Sequence, residues 1–240
     1  MSSVLYVCAR PERSAADAEH RSFRRDLGVP SLDRIDLLHT PLDAVPWRDY
    51  AGFVVGGSPF NVTEERKGEA QLAVERDLER LAAHALSGAA TALFTCYGIG
   101  VVTRMLGGEV TLAHPERVQA AEVRLTEEGL QDPLFGASAP GLSVFTAHKE
   151  SAATVPPGAV LLATNEACPV QAYRVGSRLY ATQFHPEASP RDFADRMAVY
   201  RASGYFDPAH YAATESMVLS SDVDGADLLA RFPGVLGSGR

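Results

Sequence analysis

Three short apolar runs in the first 95 residues end in turn residues: SVLYVC (3–8), GFVVGG (52–57) and ATALFT (90–95). Each is too short for a stable helix and is apolar on both faces, which predicts buried strands of a covered sheet. Between the last two, Val74, Leu78, Leu81, Ala82 and Ala85 recur on one helical face. Glu75, Arg76, Glu79 and Arg80 fall elsewhere, so the spacing predicts a helix over 64–86. A second helix is predicted over 97–106, stopped by Gly107 and Gly108, which tolerate positive φ. Strand, helix, strand, helix in that order predicts a parallel sheet with helices on both faces.

The texture changes after residue 108. Segments 118–126, 142–146, 158–164, 169–175 and 178–184 read as short strands with brief connections, antiparallel in part. A helix then follows, with Ser189 as N-cap, Pro190 at its first position and Asp192 where a capping box puts an acid. Phe193, Met197 and Tyr200 share one face of it, and Gly204 is placed to stop it. The tail, 207–236, holds one more predicted helix at 223–232. With no internal repeat and no low-complexity linker, the pattern predicts one compact domain (1–205) and a C-terminal extension (206–240), helical and packed on the core.

Composition narrows the function. The 240 residues are 46% hydrophobic and 22% charged, as in ordinary globular proteins. A net charge of −8 argues against a broad nucleic-acid surface, which needs Lys and Arg to displace counterions. No apolar run approaches the roughly 20 residues of a membrane helix. The N-terminus, MSSVLYVCARPER, reads as a strand and a polar loop, not as a signal peptide. Cys8, Cys96 and Cys168 form no CxxC pair, which predicts a reducing, cytoplasmic setting and no structural zinc. The histidines at 20, 39, 84, 114 and 210 show no ligand spacing, so no metal or cofactor is predicted. Asp222-Val-Asp-Gly225 lacks the remaining ligands of a calcium loop and reads as a polar turn.

The chemistry gathers at two predicted strand ends. Cys96 stands between ALFT and a helix beginning YGIGVV, at the carboxyl edge of the sheet. A helix N-terminus there favours the thiolate. In ATQFHPEAS (181–189), a strand ends at His185, and Glu187 lies two residues on, across a proline. A histidine makes a thiol a useful nucleophile by taking its proton and later protonating the leaving group. A carboxylate on the other ring nitrogen fixes the tautomer. VVGGSPFNV (54–62) puts two glycines at a third strand end, where bare backbone can offer N–H groups to an oxyanion.

In this order, GGSP, TCYGIG, LGG (106–108) and QFHPE resemble the class I (triad-type) glutamine amidotransferases, most of all the glutaminase domain of GMP synthase. FTAHKESAATVPPG (145–158) is similar to its SHGD…LP stretch, with His148 and Glu150 in the histidine and acid positions. The resemblance spans roughly residues 4–200. It implies an α/β, flavodoxin-like, doubly wound and mostly parallel sheet with a small antiparallel addition. It implies Cys96 as nucleophile, His185 as base and acid, and Glu187 as the group that orients it. The backbone N–H groups of Gly57 and Tyr97 would form the oxyanion hole. Gly56, Ser58, Gly100, His148 and Glu150 would contact substrate.

Two positions depart from the family pattern. Phe94 replaces the first glycine of the elbow, and Gly100 replaces its glutamine. The substrate is therefore expected to be glutamine or another γ-glutamyl compound. No P-loop or ATP-pyrophosphatase signature follows, so released ammonia would go to a separate synthase subunit, or the chain would act alone as a hydrolase. A catalytically silent regulatory module is the third reading, and the intact Cys-His-Glu set argues against it. The tail would cover the core or join copies in a homo-oligomer.

Overall fold

The computed structural model describes residues 3–137, 140–201 and 208–236. Its strands are β1 (Val4–Cys8), β2 (Asp33–Asp36), β3 (Gly52–Val55), β4 (Thr91–Thr95), β5 (Val110–Thr111), β6 (Glu116–Leu125), β7 (Gly141–His148), β8 (Ser151–Ala152), β9 (Ala159–Thr164), β10 (Ala172–Val175) and β11 (Leu179–Thr182). The helices are α1 (Arg13–Asp26), α2 (Glu69–Leu86), α3 (Tyr97–Met105), α4 (Glu127–Gln131), α5 (Pro190–Val199), α6 (Tyr211–Ser220) and α7 (Ala226–Val235).

Among the described residues, nine strands form one sheet in the order β2-β1-β3-β4-β11-β10-β9-β6-β7. Pairing is parallel from β2 to β11 and antiparallel from β11 to β7. The antiparallel strands thus continue the parallel sheet, and only β5 and β8 stand apart as a small pair.

Strand periodicity divides the core between two faces. Leu5, Val7, Phe53, Val55, Ala92, Phe94, Leu179 and Ala181 pack with Val74, Leu78, Leu81 and Ala85 of α2 and Ile99, Val101 and Val102 of α3. Val4, Tyr6, Cys8, Val54, Leu93 and Tyr180 point the other way. They pack with Ala16 and Phe23 of α1 and Leu228, Leu229, Phe232 and Val235 of α7. A third cluster joins α5 and α6 to the antiparallel strands through Val118, Phe145, Phe193, Met197 and Val218.

The expected strands and helices are present with shifted ends. The helix expected from residue 64 starts at Glu69, and the one expected at 223–232 runs from Ala226 to Val235. Gly107 takes φ 78 after α3. The Ser189–Asp192 capping box forms at α5, whereas Gly204 lies outside the described residues. Helix α1 follows the expected polar loop at 9–12 and was not foreseen: its buried stripe is Ala15, Ala16, Glu19, Ser22 and Phe23, too small and polar to register as hydrophobic periodicity. Helix α6 and strand β2 were also not foreseen; each buries only one residue, Val218 and Ile35 respectively. No helix among the described residues is long and apolar enough to cross a membrane.

Candidate active site

Four neighbouring parallel strands, β1, β3, β4 and β11, deliver the site from their carboxyl ends. Cys96 follows β4 directly and caps α3, with φ 51 and ψ −103. It is the only non-glycine residue with positive φ among the described residues. Such a conformation costs about 1–3 kcal/mol and persists only where its surroundings impose it. Here the Cys96 N–H is tied to the Thr182 carbonyl at 2.8 Å, and its carbonyl accepts from Ile99 at 3.1 Å. Phe94 does not prevent the elbow. It is fully buried, and Gly98 rests on it so closely that a methyl there would lie 2.9 Å from its Cβ.

His185 is held through its backbone N–H, which donates to the Phe145 carbonyl at 3.0 Å. Its Nδ1 lies 2.9 Å from Glu187 Oε1, and the Cys96 sulfur is close enough to favour the charged ring. Both residues of the pair are buried. Burial opposes the charged ring, but the Glu187 carboxylate and the Cys96 sulfur outweigh it and raise His185 to about 9. Burial likewise opposes the Glu187 charge. His185 and Arg196 outweigh it and hold the carboxyl well below its usual range.

A buried charge network lies behind this set, and none of its residues stood out in the sequence. Arg196 Nη2 is 2.9 Å from Glu187 Oε1 and 3.7 Å from Glu19 Oε1. Glu19 Oε1 accepts from Arg10 Nε at 3.0 Å and Nη2 at 2.8 Å, and Oε2 accepts from the Tyr6 hydroxyl at 2.7 Å. Arg10 Nη1 reaches the Tyr200 hydroxyl at 3.2 Å. Two arginines therefore balance two carboxylates, the condition for keeping such charges out of water. The network also explains Gly56-Gly57. A methyl on residue 56 would run into the Glu19 carboxylate, and one on residue 57 would lie 2.8 Å from both Arg10 Nη2 and His185 Cε1. The double glycine was the one visible signal that something bulky stood there.

The expected oxyanion donors differ from one another. Tyr97 N–H belongs to the first turn of α3, where backbone donors lack intrahelical acceptors. Gly57 N–H is already used, donating to Glu19 Oε1 at a long 3.3 Å.

Two clefts meet at Cys96, Ser58 and Ala147. The first also holds Gly100, His148, Glu150, Tyr97, Asn61 and Gln183. Of the residues expected to contact substrate, Gly56 does not line it, because its N–H completes the sheet by donating to Val7 and its Cα faces Glu19. His148 and Glu150 line it with their polar atoms committed to the protein. His148 Nε2 meets Glu116 Oε2 at 2.7 Å and Nδ1 meets the Glu150 carbonyl at 3.1 Å. The Glu150 carboxylate accepts from Val62 N–H at 2.7 Å, Thr63 N–H at 3.0 Å and the Thr63 hydroxyl at 2.8 Å. Gln183, unforeseen, is buried against the cleft, and its Oε1 has no hydrogen-bond partner among the described residues.

Among the described residues, two groups of three bring potential metal-ligand atoms within 4.8 Å: Glu116, His148 and Cys168, and Glu19, His185 and Glu187. In the first, Asn165 and Gln171 also donate to Glu116, and burial pushes the Cys168 thiol up to about 11. In the second, the arginines already neutralise the carboxylates. Both groups are built as internal hydrogen-bond networks.

The chain matches the family model described as glutamine amidotransferase class-I over residues 37–199. The chain belongs to the class I glutamine amidotransferase family. That places it among the glutamine-hydrolysing amidotransferase enzymes. It is 31% identical over 169 residues to one subunit of the glutamine-hydrolysing GMP synthase of Methanothermobacter thermautotrophicus, covering 70% of this chain and 80% of that one. It is 30% identical over 156 residues to the GMP synthase of Paraburkholderia phytofirmans, covering 62% of this chain but only 28% of that protein. The chain thus spans about a quarter of the longer synthases it matches. A glutamine amidotransferase from Thermotoga maritima has the same fold, with TM-score 0.71, 19% identity and coverage of 98% of this chain and 99% of that one. These relatives support the α/β sheet with its antiparallel strands.

Proposed function

We propose that this amidotransferase hydrolyses the side-chain amide of glutamine through Cys96, His185 and Glu187. The observation that carries the reading is the strained Cys96 elbow sharing a cleft with a buried His185 whose Nδ1 is held by Glu187. Cys96 Sγ attacks the amide carbon beside the charged His185 ring, which carries the proton later given to the leaving group. The negative charge that develops on oxygen is met by Tyr97 N–H, and by Gly57 N–H once it exchanges its long bond to Glu19 for the stronger acceptor. The intermediate collapses, the C–N bond breaks and His185 protonates the departing nitrogen. Water, deprotonated by His185, then attacks the γ-glutamyl thioester. The C–S bond breaks, giving glutamate and ammonia.

The substrate's amino-acid end occupies the cleft between 58–61 and 147–150, where Gln183 Oε1 is an acceptor for its ammonium. The Methanothermobacter relative is itself one subunit of a GMP synthase, which supports a separate synthase partner that receives the ammonia. The test is ammonia release by the pure protein beside Cys96→Ala, with intact mass after exposure to a glutamine-like electrophile. One adduct, blocked by glutamine and absent from the variant, is expected. Unchanged ammonia release by Cys96→Ala would overturn the reading.

A further inference from the structure

Strand β7 ends the large sheet, and its outer edge pairs with no other named strand among the described residues. Two backbone groups dock on that edge, two residues apart. His185 N–H donates to the Phe145 carbonyl at 3.0 Å, and Asp224 N–H donates to the Ser143 carbonyl at 3.0 Å. Ser143 N–H in turn donates to Asp224 Oδ1 at 2.9 Å, and its hydroxyl donates to the Asp222 carbonyl at 2.8 Å. The site histidine and the C-terminal extension therefore hang on one strand. They also touch each other: a methyl on Gly225 would lie 2.9 Å from both Cα and the carbonyl oxygen of Pro186. Gly225 has φ −55 and ψ −29, which any residue adopts, so glycine here serves close approach and not backbone freedom. The turn is held from both sides. Val223 packs against the cluster of Phe145 and Phe193, and Leu228 and Leu229 belong to the cluster that holds Phe184.

Pro186 separates His185 from Glu187, so its backbone sets how the two side chains stand to each other. We propose that segment 222–225 is a positioning element of the active site: Gly225, anchored to β7 through Asp224, lies against Pro186 and keeps Glu187 on His185 Nδ1. This rests on the reading of His185 and Glu187 as the pair that handles the proton. None of residues 222–225 lines either cleft at Cys96, so the brace acts on the chemical step and not on substrate binding. Misplacing a reacting group by about 1 Å costs about a hundredfold in rate.

The test follows Gly225→Ala in the full chain through kcat and KM for ammonia release, the thermal midpoint, and the titration of the His185 ring by NMR, assigned against His185→Gln. The ring faces Glu187, Cys96 and Arg196, and its value of about 9 depends on the first two. The expected kcat is about tenfold to a hundredfold lower with KM nearly unchanged, and the His185 titration moves down toward the ordinary histidine range. Asp224→Ala should give the same changes in smaller measure. Asp224→Asn, which keeps an acceptor for Ser143 N–H, should restore both. Val235→Ala, at the far end of α7, should lower the thermal midpoint and leave kcat and the His185 titration unchanged. A folded Gly225→Ala with wild-type kcat and wild-type titration overturns the proposal, as do equal losses in Val235→Ala. If Gly225→Ala does not fold, wild-type kcat and titration in Asp224→Ala overturn it. A wild type that releases no ammonia overturns the glutaminase reading instead, and the His185 titration in the variants then decides the proposal by itself.

Discussion

Arg196 touches both members of the His185–Glu187 pair: Nη2 lies 2.9 Å from Glu187 Oε1, and Nη1 lies 3.1 Å from His185 Nδ1. Nδ1 cannot donate to Glu187 and accept from arginine at once. With its proton on the Glu187 side, Arg196 acts on the ring as a charge and on Glu187 as a counter-ion. The arginine also fixes the place of Glu19, so Glu187 and Glu19 share it.

Arg196→Met leaves two fully buried carboxylates with one arginine between them. Removing one partner from such a set costs about 3–5 kcal/mol. The expected result is a loss of that size in denaturant unfolding. kcat should fall more than KM, since Arg196 acts through Glu187. Arg196→Lys should recover part of the stability, because a point charge replaces a planar fork. Equal stability of Arg196→Met and wild type would show that the arginine is incidental.

The Cys96 elbow predicts opposite effects on stability and activity. A backbone at φ 51 and ψ −103 suits glycine and strains any residue with a Cβ. Cys96→Gly should therefore be more stable than Cys96→Ala by about 1–3 kcal/mol. Both should be inactive in ammonia release. Parallel thermal melts check it, and a Cys96→Gly variant no more stable than Cys96→Ala would mean the elbow relaxes once sulfur is gone.

The parts legible in the sequence are those that local chemistry encodes. The buried strands announced themselves as apolar runs, and Ser189-Pro190-Arg191-Asp192 spelled a cap that forms as written. Cys96, His185 and Glu187 each sit at a strand end marked by turn residues. The charge network was invisible for a physical reason. Glu19 sits in a segment, RSAADAEHRSFRRD, whose many exposed charges hide the single buried one. Arg10 and Arg196 look like ordinary surface residues until α1 and α5 pack together. His148 and Glu150 do line the cleft, but only the tertiary structure brings Glu116 to one and Val62-Thr63 to the other. The size of the antiparallel region was also hidden, because strand pairing order is not a local property.

His185 makes stability depend on pH. Its folded value is raised to about 9, above the histidine value in an unfolded chain. The charged pair thus contributes fully below about 6.5, and the contribution is lost as pH rises toward 9. For Glu187 the shift is downward, so its contribution is present above the unfolded carboxylate value and lost on acidification. Wild type should lose of the order of 3 kcal/mol relative to His185→Gln between pH 6 and pH 9.5. Urea titrations of both proteins at several pH values check this. A constant difference across the range would show that folding leaves the His185 value unshifted.

Gly57 faces Arg10 of the charge network, the His185 ring and Cys96 together. A methyl group there would lie 2.8 Å from His185 Cε1, 2.8 Å from Arg10 Nη2 and 3.5 Å from Cys96 Cβ. Glycine-to-alanine exchange usually stabilises by about 0.4–1 kcal/mol through the unfolded chain. Overpacking at a closed site costs about 1–3 kcal/mol, so the net effect here should be destabilising. Arg10 is tied to Glu19 and Tyr200, which leaves the His185 ring as the group that yields. A ring displaced by a few tenths of an ångström loses its alignment with Cys96. Gly57→Ala should therefore lower kcat/KM for ammonia release at least 100-fold, with a thermal midpoint only a few degrees below wild type. The slowed step should also appear as slower adduct formation at Cys96 by a glutamine-like electrophile. Wild-type rates in Gly57→Ala would mean that the backbone at 57 shifts instead of the ring, and that the close approach of Gly57 to His185 is not needed for catalysis.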